Sequence, residues 1–198
     1  MLLHEKEIFQ MIAKNNGFIT VKEVTEAGIP RRCLSHLTEV NQIFKVDRGI
    51  YMLPETWEDE MFFLQYRFSK GIFSHETALY LYGMTDRTPG SLTMTFPFGY
   101  NTSSIKKQGA TPKICTVENY SLGISELFSP AGNVVKVYDI ERTLCDMVKE
   151  THQGDIQVIN HAMRDYVVSK EKDIAKLMEY AAILRVKEKV LSYMEILL

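Results

Sequence analysis

The chain has 198 residues and a formal net charge of −2, and 45% of its residues are hydrophobic while 24% are charged. This mixture is typical of a globular protein and argues against a disordered, fibrous or membrane-embedded chain. Charged residues follow the first three apolar ones at once, and no apolar run approaches about 20 residues, so we expect neither a secretory signal nor a transmembrane helix.

The cysteines are three in number and lie far apart, at Cys33, Cys115 and Cys145. Neither a CxxC pair nor a cluster of histidines accompanies them, so the pattern predicts no zinc site and no disulfide framework. Buried, reduced thiols are expected instead, which favours a cytoplasmic protein.

The first helices are predicted from local signals near the N-terminus. A first helix is expected over residues 5–15. Thr20 and Glu23 have the spacing of a capping box, with Ile19 and Val24 around them spaced as a hydrophobic staple. A second helix therefore begins after Thr20, and Gly28 ends it.

A third helix is predicted over residues 31–40, where Leu34, Leu37 and Val40 recur at helical spacing and should face the core. Two short apolar runs, 43–46 and 50–53, then flank a turn containing glycine, which indicates a β-hairpin. Three short helices followed by a hairpin predict a winged helix-turn-helix that binds double-stranded DNA.

The fold class expected for the whole chain is α+β. We expect the winged helix-turn-helix to occupy residues 1–54 and a mixed α/β C-terminal domain to occupy residues 55–198. Ser74 and Asp139 are predicted to cap helices, and a polar, mobile loop is expected over 98–108. The remaining predicted elements are helices over 55–68, 75–82, 140–148, 156–168 and 174–197, a half-buried strand over 91–96, and strands over 113–117 and 134–138.

The candidate DNA-binding residues follow from this architecture. The second helix of a helix-turn-helix presents its N-terminal residues to base edges in the major groove, and a wing contacts phosphates. The residues predicted to bind DNA are Arg31, Arg32, Ser35 and His36 on the third helix, Lys45 and Arg48 on the wing, and Lys22 on the second helix. Two alternatives remain open: a merely solvated helix face, and a winged helix that binds protein.

Catalytic motifs are not found in the sequence, and we predict no catalytic residue, metal or cofactor. His75-Glu76 lacks the second histidine that a zinc-protease helix requires. A rival hypothesis is a DNA-processing enzyme that uses Glu76, Asp139 or Asp146 with a metal ion. Arg142 and Asp146 are more simply expected to form a structural hydrogen-bond network.

Five stretches resemble the AbiEi family, the antitoxin and transcriptional regulator of a bacterial abortive-infection toxin–antitoxin system. They are Arg48-Gly49-Ile50-Tyr51-Met52-Leu53, Ile72-Phe73-Ser74-His75-Glu76-Thr77-Ala78-Leu79, Tyr82-Gly83-Met84-Thr85-Asp86, Leu92-Thr93-Met94-Thr95-Phe96-Pro97 and Val137-Tyr138-Asp139-Ile140-Glu141-Arg142-Thr143-Leu144-Cys145-Asp146. The second and the last are the most specific. The resemblance covers nearly the whole chain.

The resemblance implies a regulator that is not an enzyme. Its N-terminal domain would bind inverted repeats upstream of its own operon and repress it. Its C-terminal domain would counteract a toxin that resembles nucleotidyltransferases, and as a type IV system it would form no stable complex with that toxin. No heptad seam is visible, so we predict a monomer in solution that binds DNA cooperatively, with the two functions divided near Pro54.

Overall fold

The computed structural model describes residues 2–149 and 156–197, which form two compact units. The first unit ends at Arg67 and also includes Ser129–Asn133. The second comprises Phe68–Phe128 and the chain from Val134 onward. Pro54, the predicted boundary, therefore lies inside the first unit.

The first unit combines four helices with a small sheet. In the sheet, the central strand β3 pairs antiparallel with β1 on one side and β2 on the other. Strand β1 is an addition to the predicted hairpin. The elements in chain order are α1 (Leu2–Lys14), β1 (Phe18–Thr20), α2 (Val21–Glu26), α3 (Arg32–Glu39), β2 (Phe44–Asp47), β3 (Ile50–Met52) and α4 (Glu60–Arg67).

The core of the first unit is formed by apolar residues from its helices and its sheet. Leu34 and Leu37 of α3 are buried, as their spacing predicts. Val40 is 47% exposed, so its predicted place in the core is wrong, because α3 ends at Glu39 and Val40 is its C-cap. The other members of this core are Ile8, Ile12, Ile19, Val24, Ile29, Cys33 and Ile43.

The second unit contains a five-stranded mixed sheet with the order β6-β5-β4-β8-β7. The β5–β6 and β4–β8 pairs are parallel, and the other two pairs are antiparallel. Its elements are β4 (Ile72–Phe73), α5 (His75–Leu81), β5 (Thr93–Pro97), α6 (Ser103–Lys106), β6 (Thr111–Cys115), α7 (Val117–Tyr120), β7 (Ile124–Phe128), β8 (Val134–Tyr138), α8 (Ile140–Lys149), α9 (Ile156–Val168), α10 (Ile174–Ile183) and α11 (Lys187–Leu197).

The C-terminal helices form the main apolar core of the second unit. The single long helix predicted over 174–197 is wrong, since α10 ends at Ile183 and α11 begins at Lys187. Leu184 and Val186 are 3% and 4% exposed, and Arg185 between them has a φ of +61°. Leu184 and Val186 are therefore buried by a turn at Arg185. The sequence pattern alone favours a continuous helix at this point.

Tertiary contacts make one further prediction wrong and leave another only partly confirmed. The strand predicted to be half-buried, now β5, is covered on both faces, with Thr93 and Thr95 buried. Ser74 occupies the N-cap position of α5 without capping it, since its Oγ accepts a hydrogen bond from Thr95 Oγ1 at 2.8 Å. The predicted cap at Asp139 is confirmed, because its Oδ1 accepts from the Arg142 amide at 2.9 Å.

Some predicted boundaries also shift. The helix predicted over 55–68 begins only at Glu60, and the Asp59 carboxylate accepts a hydrogen bond from the Phe62 amide at 3.0 Å at its start. The loop expected over 98–108 contains helix α6. Among the residues that the structure describes, no helix is long and apolar enough to cross a membrane.

Candidate functional site: a nucleic-acid interface

Helices α2 and α3 are joined by a tight turn that the sequence specifies residue by residue. The Glu23 carboxylate accepts a hydrogen bond from the Thr20 amide at 2.8 Å, and the Thr20 hydroxyl accepts one from the Glu23 amide, so the predicted capping box is confirmed. Gly28 then adopts a φ of +72°, and the Ile29 amide donates to the Val24 carbonyl at 3.0 Å. Ile29 is buried, which fixes the turn against the core.

Helix α3 divides cleanly into an apolar face and a polar face. Cys33, Leu34 and Leu37 are buried, whereas Arg32 and Ser35 are exposed. This division leaves the polar face and the N-terminal end of α3 open to a partner. In a helix-turn-helix, that end of the second helix is the part that meets base edges.

The residues predicted to contact bases differ in how many contacts they make with other residues of the protein. Arg31 precedes α3, is exposed, and donates from Nε to Thr25 Oγ1 at 3.2 Å. This bond fixes part of its guanidinium beside α2. His36 is only partly exposed, and its Nε2 lies 3.7 Å from Glu5 Oε1 on α1. Sequence reasoning missed both Thr25 and Glu5, because no local pattern links them to α3.

The hairpin presents the two predicted wing cations. Lys45 and Arg48 are exposed, and Gly49 turns the chain with a φ of +81°. The pairing register shifts between Lys45 and Asp47, which indicates a bulge. Both predicted wing residues therefore have access to solvent and to a polyanion.

Helix α4 supports the tip of the hairpin, which the sequence did not predict. The Asp47 carboxylate is bound by the Arg67 guanidinium and by the Arg48 amide. Burial acts to raise the pKa of Asp47, but these two hydrogen bonds together with the charges of Arg67 and Lys45 outweigh it, and the pKa is lowered. A side chain on Gly49 would begin 3.3 Å from the Tyr66 hydroxyl, so the turn packs closely on α4.

The local electrostatics favour an anionic partner more than the count of charges suggests. Residues 20–50 carry five basic and four acidic side chains. Glu23 is committed to the capping box and Asp47 to Arg67. Lys22 and Glu26 form an exposed ion pair, with Nζ and Oε1 3.8 Å apart. Such a pair contributes little to stability, so the lysine can exchange the glutamate for another anionic partner.

An aromatic cluster joins α4 to the small sheet within the same unit. The ring of Phe18 lies 5.2 Å from that of Phe63, edge to face, and 6.0 Å from that of Phe62. Aromatic pairs of this kind add about 0.5–1.5 kcal/mol beyond simple burial. The predicted DNA-binding region therefore depends for its support on residues after Pro54.

Two of the three carboxylates proposed for a rival metal-dependent enzyme, Asp139 and Asp146, are engaged in structural contacts. Asp139 Oδ2 and Glu141 Oε2 bind Lys176 Nζ at 2.9 and 3.1 Å, and Asp146 Oδ2 binds Arg142 Nε at 2.9 Å. The pairing of Arg142 with Asp146 is thus confirmed as a structural network. Within residues 2–149 and 156–197, no three His, Cys, Asp or Glu side chains converge as a metal site would require.

Comparison with known proteins bears on the two parts of the chain differently. No protein of curated function matches the sequence. The crystal structure of the RV2827C protein from Mycobacterium tuberculosis is similar, with a TM-score of 0.56 and 12% identity over 98% of this chain and 80% of that chain. At such low identity, the likeness shows a shared fold alone. Residues 6–54, which include the helix-turn-helix and the hairpin, match the model of a family described as the transcriptional regulator, AbiEi antitoxin, and the resemblance seen in the sequence is confirmed for this part of the chain.

Proposed function

We propose that the first unit is a winged helix-turn-helix that binds double-stranded DNA. Helix α3 enters the major groove, where Arg31 and Arg32 can each donate two hydrogen bonds to a guanine. Ser35 and His36 contact bases or phosphates farther along the helix. Lys45, Arg48 and Lys22 bind phosphates around this groove, with the hairpin acting as the wing.

One observation carries this proposal. The polar face of α3 and the cation that precedes it are exposed, directly after a capped helix and a tight turn, in the segment that matches a family of transcriptional regulators. A solvated face alone would not require this order of elements. The partner proposed is an inverted repeat in the promoter of the protein's own operon, so the protein would be an autorepressor in the cytoplasm.

We further propose that the protein is a monomer in solution and binds the two half-sites cooperatively. Cooperativity would then arise on the DNA, for example through bending. Light scattering without DNA, compared with stoichiometry on one and on two half-sites, tests this. A stable dimer in the absence of DNA would contradict it.

The antitoxin activity is proposed to reside in the C-terminal part, acting on a nucleotidyltransferase-like toxin without a stable complex. Two fragments test the proposed division, one beginning at Glu55 and one at Phe68. Either should relieve growth arrest when produced with the toxin, and neither should repress the promoter. Because α4 packs with the first unit, the fragment from Phe68 should be the more soluble one. A folded fragment that gives no protection would refute the division.

The DNA-binding proposal is tested with Arg31→Ala/Arg32→Ala in a gel-shift titration of the promoter repeat. Loss of a specific base contact costs roughly 1–3 kcal/mol, so affinity should fall by about tenfold or more. Loss of a contact to phosphate would instead lower the slope of log affinity against log salt concentration by about one for each residue. The matched control is Lys170→Ala/Lys172→Ala, which removes two exposed cations from the second unit and should leave affinity unchanged.

Two results would overturn the DNA-binding proposal. One is that Arg31→Ala/Arg32→Ala binds DNA with the same affinity as its control, Lys170→Ala/Lys172→Ala. The other is a folded full-length protein that has no affinity for DNA even at low salt. The second result would favour a winged helix that binds protein.

A further inference from the structure

A carboxylate on α1 faces the helix that we propose to enter the major groove. Glu5 lies in the first turn of α1, and its side chain is 16% exposed. Its Oε1 atom is buried and, among the residues that the structure describes, has no hydrogen-bond partner. The ring of His36 on α3 lies beside it, with Nε2 3.7 Å from this oxygen. Since buried polar atoms are almost always hydrogen-bonded, this oxygen requires an explanation.

The distance between the two side chains is longer than a hydrogen bond. A charged hydrogen bond from a nitrogen to a carboxylate measures about 2.7–2.9 Å. The observed 3.7 Å exceeds this length but stays within the range of an ion pair. A side-chain rotation of either residue is enough to close a gap of this size. The two residues are therefore placed to form a bond that is incomplete in the protein alone.

The other nitrogen of the His36 ring is open to a partner outside the protein. The side chain of His36 is 38% exposed, and within the described part of the chain its Nδ1 forms no hydrogen bond. The two nitrogens lie on opposite sides of the imidazole, so a ring that directs Nε2 to Glu5 directs Nδ1 away from α1. His36 also follows Arg32 by one turn of α3, on the polar face proposed to meet DNA. The ring thus lies between a carboxylate and the proposed partner.

The charges around His36 favour its protonated form when DNA is bound. An opposite charge within about 4–6 Å stabilises the charged form of a titratable group. Glu5 supplies such a charge from the first turn of α1, where the helix dipole favours a carboxylate. Among the described residues, no other carboxylate lies within 4 Å of the ring nitrogens. Arg32 and Glu39, one turn away in either direction on α3, carry opposite charges that offset each other.

We propose that Glu5 is a positioning residue for DNA recognition, and that DNA binding is coupled to the uptake of one proton from solvent by His36. In the complex, Nε2–H donates to Glu5 Oε1, and Nδ1–H donates to an acceptor oxygen of the DNA. A neutral imidazole carries a single N–H, so it cannot donate to both partners. The inference rests on the proposed DNA-binding function and adds to it a residue outside the helix-turn-helix.

Affinity for DNA should therefore fall as the pH rises. A histidine side chain ordinarily changes its charge near pH 6.5. Because the complex holds the proton more tightly than the free protein does, binding is strongest at low pH and weakens as the pH rises through neutrality. The effect ends at the pH where the complex itself has released the proton.

The first test measures the Kd of the full-length protein for a labelled duplex from the region upstream of its gene. Fluorescence anisotropy at pH 6 and pH 8 is suitable, with the ionic strength held constant because phosphate contacts depend on salt. The Kd should rise about three- to tenfold over this interval, as the coupling of one proton allows. His36→Gln keeps a donor that does not titrate and should remove most of this change. Glu5→Gln keeps the shape of the side chain without its charge and should reduce the change.

A second histidine–carboxylate pair in the same unit provides a matched control. His4 and Glu7 lie one turn apart on α1, with Nδ1 of the histidine 3.3 Å from Oε2 of the glutamate. Neither residue belongs to the proposed DNA-binding face, so His4→Gln and Glu7→Gln should leave the pH dependence of the Kd unchanged. Glu5→Asp keeps the charge and should retain part of the pH dependence that Glu5→Gln loses.

Calorimetry of the wild-type protein gives a second measurement that does not depend on the folding of any variant. Titration with the duplex at pH 7, in phosphate and in Tris, yields the number of protons taken up, because the two buffers ionise with different enthalpies. We expect net uptake of up to about one proton per bound chain. Glu5→Gln should take up fewer. A pair that merely joined α1 to α3 would affect the free energy of unfolding but not the proton uptake.

The inference fails if the Kd for DNA is the same at pH 6 and pH 8 and no proton is taken up, a result that leaves the DNA-binding proposal intact. It also fails if His4→Gln flattens the pH dependence as much as His36→Gln does. Absence of DNA binding at both pH values would instead refute the DNA-binding proposal, and this inference with it. Thermal unfolding of each variant at both pH values confirms that it is folded.

Discussion

Helices α3 and α8 both carry polar residues, but they place them in opposite environments. Arg31 and Arg32 at the start of α3 are exposed, whereas Arg142 and Asp146 of α8 are 1% and 7% exposed. A buried charge must be paired to be tolerated, so the α8 residues hold the fold. The exposed charges of α3 are available to a partner. We therefore expect substitutions in α8 to affect stability and those in α3 to affect binding.

The largest effect is expected for Arg142→Ala. The change leaves the Asp146 carboxylate buried without its guanidinium and removes the donor to two backbone carbonyls. Breaking a buried pair from one side costs about 3–5 kcal/mol of unfolding free energy. Thermal and denaturant unfolding measure this, with Arg164→Ala, an exposed arginine of α9, as the control. A loss below about 1 kcal/mol would show that the pair is not structural.

Asp59→Ala extends the comparison to the first unit, where a buried carboxylate also holds the fold. Asp59 is 3% exposed, accepts from Ser129 Oγ and Asn133 Nδ2, and accepts from the Phe62 amide at the start of α4. Losing the cap and leaving buried donors unpaired should cost about 2–3 kcal/mol. Glu58→Ala removes the exposed neighbouring carboxylate and should change unfolding by less than about 0.5 kcal/mol.

A smaller difference is expected between two variants of His75. Both His75→Ala and His75→Gly remove the ring, so they lose the same contacts. Only glycine adopts the φ of +55° without strain, and the glycine variant should be the more stable by about 1 kcal/mol. Equal stability would mean that the backbone relaxes once the ring is absent and that the side chain, not the fold, imposes the strain.

The smallest effect on stability is expected for Arg31→Ala/Arg32→Ala. Neither side chain is buried, and within the described part of the chain Arg31 alone of the two donates a hydrogen bond, to Thr25 at 3.2 Å. Surface substitutions of this kind change the unfolding free energy by less than about 0.5 kcal/mol. Unfolding measured beside the gel shift separates the two roles. A large loss of stability would place these arginines with Arg142 as structural residues.

The sequence predicted those elements whose signals lie within a few residues of each other. The capping box at Thr20, the turn at Gly28 and the cap at Asp139 are local, and each is observed. Ser74 carries an equally good local signal for an N-cap. Its hydroxyl oxygen instead accepts a hydrogen bond from Thr95, which is 21 residues away. Local signals thus fail where a distant side chain offers the better hydrogen bond.

The remaining differences also depend on contacts between distant residues. The apolar pattern of 174–197 continues through Leu184 and Val186, so it cannot reveal that the chain turns there. The exposed face of α3 could be predicted from its helical period. The ion pair that supports the hairpin could not, because Asp47 and Arg67 are 20 residues apart and belong to different elements.

The separation of Asp59 from Ser129 and Asn133 has a consequence for how the protein is made. The ribosome delivers α3 and the hairpin early, but the segment Ser129–Asn133 that completes their unit follows more than sixty residues later. Closing such a long loop carries an entropic cost that only the finished contacts offset. Nascent chains released before Asn133 should therefore hold an incomplete first unit. In vitro translation of chains arrested before and after this point, probed by limited proteolysis, should show protection of the first unit only in the longer chains.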